Sequence, residues 1–208
     1  MFRTSLVGQP RLSQMELTGA GFRTGLLFPK FFGGFVNKKQ ERSWKGVCIH
    51  HSFSPDRKTS DWDGIRRFHT SYRQDGQIIS KGLYERLKSY KVSGLAAPWS
   101  DIGYHFGIEL VGEEYVVKEG RSLNKSGAHC PGINSTHIGI CVVGNFDVNP
   151  LPTPALVVLT QLVKDLARRY GFILTEPGVV TYHNQHSQKT CPGKLFPTLE
   201  TFLGILDK

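Results

Sequence analysis

Three residues of the sequence have side chains that bind transition metals and stand where they can converge on one ion. His50 ends an apolar run, VCIHHS, that indicates a short buried strand, and His183 ends a second one, VVTYHNQ. Cys191 follows eight residues after His183, across a loop long enough to fold its thiolate back. Catalytic zinc sites usually take three ligands of these types and leave one position for water. The sequence therefore predicts a zinc site, although each residue taken singly is more often a core or surface residue.

Strand and helix signals alternate along the chain that must position these residues. Ser60 or Asp61 caps a predicted helix, WDGIRRFHTSYR, whose apolar stripe is most simply core. Thr153 followed by Pro154 starts the clearest helix, which Gly171 ends. Further signals are a hairpin of YHFGIELV and YVVKEG, a strand IGICVVGNF and a closing helix LFPTLETFLGIL. We expect an α/β fold, a single domain with a central mixed β-sheet flanked by helices.

One stretch gives no firm prediction. DGQIISKGLYERLKSYKVSGLAAPWS is polar and contains glycines. We expect a long loop beside a cleft, or one that carries a short helix around Tyr84 to Leu87.

Composition limits the classes of function. With 26 Lys and Arg against 17 Asp and Glu the formal charge is +9, which favours a polyanionic partner such as nucleic acid, an anionic membrane or a cell wall; a merely solubilising surface is an even alternative. The four cysteines lack the dense spacing of a disulfide framework, so we expect reduced thiols. We expect no membrane span and no secretory signal, hence a protein made in the cytoplasm.

Residues 1–45 differ in character from the rest. They are basic throughout and include GLLFPKFFGGFV, which is too broken for a long helix and too apolar for a linker. We expect a basic N-terminal extension at 1–45 and a catalytic domain at 46–208. The extension either touches an anionic membrane or wall, or packs along the domain, and the second alternative is favoured.

Four motifs in order carry a resemblance to a known family. CIHHS, DIGYHF, GAHCPGINSTHIGICVVGNF and YHNQHSQKTCPG resemble the zinc-dependent N-acetylmuramoyl-L-alanine amidases of the phage lysozyme type, which share a fold with peptidoglycan recognition proteins. The resemblance covers Gly46 to the C-terminus and is closest from Asp101 onward. Residues 1–45 and 74–99 match nothing in the family.

The resemblance implies a role for individual residues. His50, His183 and Cys191 match the three zinc ligands of the family, and the match prefers His183 to His186. Tyr104 and Lys189 match its two catalytic polar residues. One of the two carries the proton and the other stabilises the oxyanion, and the resemblance does not assign the two roles. Three further residues have other expected roles. His129 lines the substrate groove or stabilises a turn, His51 points to the other side of its strand, and Cys141 is a core thiol.

One departure from related enzymes is informative. The cytoplasmic muropeptide-recycling amidases carry a glutamate at the position of Cys141, and this chain does not. The difference favours the phage-type arrangement.

The resemblance implies a peptidoglycan hydrolase, a phage endolysin that acts at the bacterial cell wall as a monomer with Zn²⁺. The alternative is a module that binds peptidoglycan without cleaving it, but such modules typically lose the cysteine ligand, and Cys191 is present. A structural zinc site would need a fourth ligand, and nucleic-acid binding an aromatic-basic motif; neither is found in the sequence, so no nucleic acid is expected.

Overall fold

A five-stranded sheet forms the centre of the fold in the computed structural model, which describes residues 42–53 and 61–208. Within these ranges the elements are, in order, β1 (Gly46–His51), α1 (Trp62–His69), β2 (Arg73–Gln74), β3 (Gln77–Ile78), α2 (Lys81–Ser89), β4 (Leu95–Ala96), β5 (Phe106–Val111), β6 (Glu114–Glu119), β7 (His137–Val142), α3 (Thr153–Tyr170), β8 (Val180–Tyr182), a 3-10 helix (His183–Gln185) and α4 (Leu199–Leu206). The predicted α/β class with a central mixed sheet is confirmed.

The order of the strands places β1 inside the sheet. The order is β6-β5-β7-β1-β8; β1 pairs in parallel with both β7 and β8, and only β6 runs antiparallel to its neighbour. All six residues of β1 are buried, as expected of a strand covered on both faces. Parallel strands also end at the same edge of the sheet, so the last residues of β1 and β8 lie close together.

The two faces of the sheet are covered differently. On the face that carries Cys141, a buried cluster joins this residue to Trp62 and Ile65 of α1 and to Ile102, which precedes β5. On the opposite face, Tyr182 of β8 contacts Phe202 of α4, and α3 packs against both α4 and β5. Since side chains alternate along a strand, Cys48 and His50 share the α1 face, whereas His51 points to the other.

Helices α1 and α3 begin where the sequence predicts, although α1 ends at His69 and not at Arg73. The Asp61 carboxylate accepts a hydrogen bond from the Gly64 N–H at 2.6 Å and so caps α1. Thr153 starts α3 with a proline in its first turn, and Gly171 ends it with a left-handed backbone, φ 73°. The closing helix is shorter than predicted: Thr198 caps it, and LFP lies outside the helix.

The stretch before Asp101 is more ordered than we expected. It holds α2, which spans nine residues and includes the short helix expected around Tyr84 to Leu87, and it holds a second sheet of three short strands, in the order β3-β2-β4, where we expected a loop. Tyr84 of α2 packs on Tyr72 with ring centroids 4.7 Å apart, and Asp75 N–H bonds to the Gly94 carbonyl. The prediction failed because two-residue strands carry no periodicity and depend on these tertiary contacts.

The end of the predicted extension packs on the sheet. Trp44 is 5% exposed and stands edge-on to His105, and the Lys45 N–H donates to the Thr136 carbonyl. The expectations for residues 1–41 lie outside the described residues. Among the described helices, none is long and apolar enough to cross a membrane.

We predict that Gly107→Ala destabilises the domain by about 1–3 kcal/mol, the usual cost of overpacking a core. A Cβ at Gly107 would lie 2.4 Å from the Trp62 ring, which is itself buried. The control is Gly204→Ala, in the exposed interior of α4 with nothing within 4 Å, which should stabilise by about 0.5–1 kcal/mol. Denaturant unfolding measures both, and an equal response of the two variants would contradict the packing argument.

Candidate metal site

Two histidines meet at the edge where β1 and β8 end. The register pairs Ile49 with Tyr182, and the next residue on each side is His50 of β1 and His183, which follows β8 as the first residue of the 3-10 helix. Their ring centroids are 4.6 Å apart, and both side chains are buried.

Backbone hydrogen bonds return Cys191 to the same edge. The Asn184 N–H donates to the Cys191 carbonyl at 2.7 Å, which closes the loop directly behind His183. The His51 N–H donates to Cys191 Sγ at 3.3 Å, and the sulfur lies 3.7 Å from His50 Nδ1. The loop therefore brings the thiol to both histidines.

Asp147, which the sequence did not single out, holds this loop from outside. Its carboxylate accepts hydrogen bonds from the Thr190 hydroxyl at 2.7 Å and from the Lys194 N–H at 2.9 Å. The Thr190 hydroxyl and the Lys194 N–H keep its pKa below the ordinary value, although burial acts in the opposite direction. An aspartate after the strand-ending motif GNF was the only sequence signal for this role.

His50, His183 and Cys191 form a set that could hold a metal ion. One ligand atom from each residue lies within 4.8 Å of the other two. Burial lowers the pKa of both imidazoles, that of His50 well below its ordinary value, so both rings are neutral and keep a lone pair for a metal.

The thiol needs a nearby positive charge to become a ligand. Burial raises the pKa of Cys191 to about 12, while the His51 N–H and the Lys189 ammonium act in the opposite direction. Without a metal the sulfur is thus protonated at neutral pH, and binding of a cation releases that proton.

Tyr104 and Lys189 flank this set. The Tyr104 ring centroid is 5.2 Å from that of His50, and burial raises the pKa of its phenol well above the ordinary range. Lys189 is exposed and precedes Cys191 by two residues in the same loop, and its positive charge acts on both His183 and Cys191. The structure thus brings the three predicted ligands together with Tyr104 beside them, and Lys189 lies in the loop that carries Cys191.

His129 lies behind His50. Its Nε2 is 3.2 Å from the His137 carbonyl, which can only accept, so Nε2 carries the proton and Nδ1 has the lone pair. His50 Nε2 lies 3.0 Å from that Nδ1 and must therefore donate to it. This chain of hydrogen bonds leaves the lone pair of His50 on Nδ1, the nitrogen that faces Cys191. The predicted groove-lining role of His129 stays a prediction.

Two further histidines of the motifs point elsewhere. His51 Nδ1 accepts a hydrogen bond from the Phe146 N–H at 3.2 Å, on the opposite face of the sheet, as strand alternation indicates. His186 is exposed, and its Nε2 lies 2.7 Å from the Thr181 hydroxyl. Neither ring belongs to a group of potential metal ligands among the described residues.

Comparison with known families identifies most of the chain. The model of the family described as Amidase_2, N-acetylmuramoyl-L-alanine amidase, matches residues 40–194. The match includes all the site residues described above.

Relatives fall into two groups. The endolysin of Escherichia phage T7 is 34% identical over 163 residues, which cover 76% of this chain and 85% of that protein. Peptidoglycan-recognition protein SC2 of Drosophila melanogaster is 36% identical over 110 residues, 52% of this chain and 55% of that protein. The alignment thus spans about half the length of this second relative.

Solved structures share the fold. The N-acetylmuramoyl-L-alanine amidase LysC from Clostridium intestinale URNW superposes with a TM-score of 0.51 and 23% identity, over 80% of this chain and 87% of that one. At this identity the likeness concerns the fold alone.

We predict that His183→Ala weakens binding of the first zinc equivalent by more than about 100-fold, since even partners outside the first coordination shell are worth 10- to 100-fold. The matched control is His186→Ala, three residues away, whose ring bonds to Thr181 instead. Competition with a chromophoric chelator measures both affinities. A loss in His186→Ala as large as in His183→Ala would contradict the assignment.

Proposed function

Because the chain belongs to the N-acetylmuramoyl-L-alanine amidase family, we propose that it is a zinc-dependent peptidoglycan hydrolase of the phage endolysin type. It cleaves the amide bond between N-acetylmuramic acid and the L-alanine of the stem peptide. The observation that carries the proposal is the meeting of His50, His183 and Cys191 within 4.8 Å, in a chain with endolysin relatives.

The donor set fits zinc. Two neutral imidazoles and one thiolate are ligands that zinc prefers, and three protein ligands are the number typical of catalytic sites. Bound there, zinc would polarise the scissile carbonyl and lower the pKa of a water to about 7. His50, His183 and Cys191 would hold it.

Tyr104 would carry the proton. Hydrolysis adds a hydroxyl group to the carbonyl carbon and delivers a proton to the departing nitrogen of L-alanine. The Tyr104 phenol has a pKa raised well above its ordinary value by burial, so it stays protonated and can donate a hydrogen bond. Its position beside His50 supports a role in passing the proton to the amine.

Lys189 would stabilise the negative charge that develops on the carbonyl oxygen. Lys189 precedes Cys191 by two residues in the loop that carries this ligand, and its ammonium group is a cation that acts on both His183 and Cys191. A positioned cation at a developing oxyanion typically contributes about 100- to 1,000-fold in rate.

His129 would fix the orientation of His50. Metal-bound histidines usually donate their second N–H to a partner that holds the ring and its tautomer. Here the acceptor is a neutral imidazole, which is in turn held by the His137 carbonyl. This role concerns the ligand His50, and the predicted substrate contact of His129 itself stays a prediction.

The substrate polymer and the place of action follow from the same proposal. The formal charge of +9 favours encounter with an anionic cell wall. A relative is named for peptidoglycan recognition, and the alternative function is therefore a module that binds the wall without cleaving it. The thiol at Cys191 argues for cleavage, because it completes the donor set.

Digestion of purified peptidoglycan distinguishes the two functions. We expect the zinc-loaded protein to release stem peptides that begin with L-alanine, detected by mass spectrometry, and expect no release by the Cys191→Ser variant or by a chelated sample. If the zinc-loaded protein bound the wall but released no peptide, the chain would be a recognition module.

We predict that Tyr104→Phe and Lys189→Ala each lower kcat by about 100-fold or more, because each removes a group that acts on the transition state. The matched controls are Tyr90→Phe and Lys194→Ala; both side chains are exposed, and Lys194 lies in the same loop as Lys189. Turnover of a soluble muropeptide measures all four variants. Control variants as slow as the site variants would overturn the assigned roles.

A further inference from the structure

Arg121 joins the chain segment before Tyr104 to the loop that carries His129. Its side chain donates hydrogen bonds of 3.1, 2.9 and 3.0 Å to three backbone carbonyls, in order those of Asp101, Ile102 and Ser126. The first two acceptors lie three and two residues before Tyr104, and the third lies three residues before His129. One side chain therefore sets the distance between two segments that meet at the candidate site.

The loop side of this connection is anchored without Arg121. The Asn134 carboxamide oxygen accepts a hydrogen bond from the His129 N–H at 2.8 Å, and the Asn134 carbonyl accepts one from the Gly127 N–H at 2.9 Å. Ser126 directly precedes this anchored stretch. Its carbonyl is therefore a fixed point from which the guanidinium group holds the other segment.

The position of the Tyr104 ring depends on the backbone that Arg121 holds. The ring centroid is 5.2 Å from that of His50 and 6.3 Å from that of His129. The Arg121 N–H also donates to the Tyr104 carbonyl at 2.8 Å. Arg121 thus bonds to Tyr104 itself through its backbone and to the preceding residues through its side chain.

An arginine can make these contacts and a lysine cannot. A guanidinium group presents its N–H donors in a rigid planar fork, so that one side chain bonds three carbonyls in a fixed geometry. A lysine ammonium keeps the charge but is a point on a flexible stem. The exchange of Arg121 for lysine therefore removes the geometry and keeps the charge.

Other contacts keep the segment folded when the guanidinium group is lost. The Gly103 N–H donates to His69 Nδ1 at 3.1 Å, and the Gly103 carbonyl accepts from the Ala128 N–H at 2.9 Å. We therefore expect a variant at Arg121 to fold and to shift the segment before Tyr104.

We propose that Arg121 is a positioning residue for Tyr104, which keeps the phenol beside His50 where it passes the proton to the departing amine. This inference rests on the proposed role of Tyr104 in hydrolysis. Because a misplacement of about 1 Å can cost about 100-fold in rate, we expect Arg121→Lys to lower kcat by about 10- to 100-fold. KM should change by less than about threefold, since the lost contacts act on the transition state.

A double-mutant cycle with Tyr104→Phe separates positioning from general damage to the fold. If Arg121 acts through the phenol, Arg121→Lys costs less than about threefold in kcat when the phenol is already absent. Equal losses in both backgrounds would overturn the proposal. The matched control is Arg168→Lys, at an exposed arginine that bonds to the Asp165 carboxylate, and it should leave kcat unchanged.

Nuclear magnetic resonance measures the position of Tyr104 without hydrolysis. In protein with isotope-labelled tyrosine, the Tyr104 ring signal is identified by its loss in Tyr104→Phe. Its chemical shift reports displacement because the rings of His50, Trp62 and His129 surround it. We expect Arg121→Lys to move this signal and Arg168→Lys to leave it in place.

The two measurements distinguish failure of the inference from failure of the proposed function. An unmoved Tyr104 signal in Arg121→Lys would overturn the positioning role even in an active hydrolase. A lack of hydrolysis by the unmodified protein would overturn the proposed function, and the signal would still show whether Arg121 places the ring. Circular dichroism checks the fold of each variant, and Arg121→Gln carries the same expectations should Arg121→Lys fail to fold.

Discussion

Burial of uncharged imidazole rings is the constraint on which the site depends. Six of the eight histidines are buried, and a buried ring nitrogen without a partner costs free energy. His50 meets this requirement through His129, and His129 through the His137 carbonyl. His105 accepts from the Gly139 N–H and donates to the Lys125 carbonyl. These partners fix the tautomer of each ring, so the lone pairs that a metal needs are set by the fold.

Glycines on the central strands make room for these rings. A Cβ at Gly139 of β7 would lie 2.4 Å from the His129 ring, and one at Gly107 of β5 equally close to Trp62. The sheet therefore carries no side chain at the two positions where the His129 ring and the Trp62 ring of α1 contact it. Both strands are neighbours in parallel register, with Gly107 opposite Cys141, which places the two bare positions on the face that carries His50. The strands that form the core therefore also leave the space that His129 needs to hold His50.

Much of this arrangement was predictable, and the remainder was not for a definite reason. Apolar runs, caps and end signals predict strands β1 and β7 and helix α3 to within a few residues. The alternation of side chains along β1 predicts that His50 and His51 lie on opposite faces of the sheet. The three candidate ligands followed from their residue types and spacing, and the family resemblance preferred His183 to His186. The contacts that hold the set join residues far apart in the chain: His50 meets His129 across 79 positions and Cys191 across 141. No local pattern encodes such pairs. The small sheet before Asp101 joins residues that are closer in the chain, such as Arg73 and Ile78, but its two-residue strands carry no periodicity.

The electrostatics of the site link metal binding to the proposed chemistry through one side chain. Burial opposes the thiolate of Cys191, whose pKa is raised to about 12, and among the described residues Lys189 is a cation that acts against this effect. Burial first and the Lys189 charge second lower the pKa of His183, so that imidazole is neutral and able to bind. A positive charge at this point therefore favours the ligand form of two groups before any substrate arrives, although it also repels a bound cation. In the proposed reaction the same charge meets the developing oxyanion. The contribution of Lys189 to turnover is therefore measured at saturating zinc, where its effect on zinc binding does not enter.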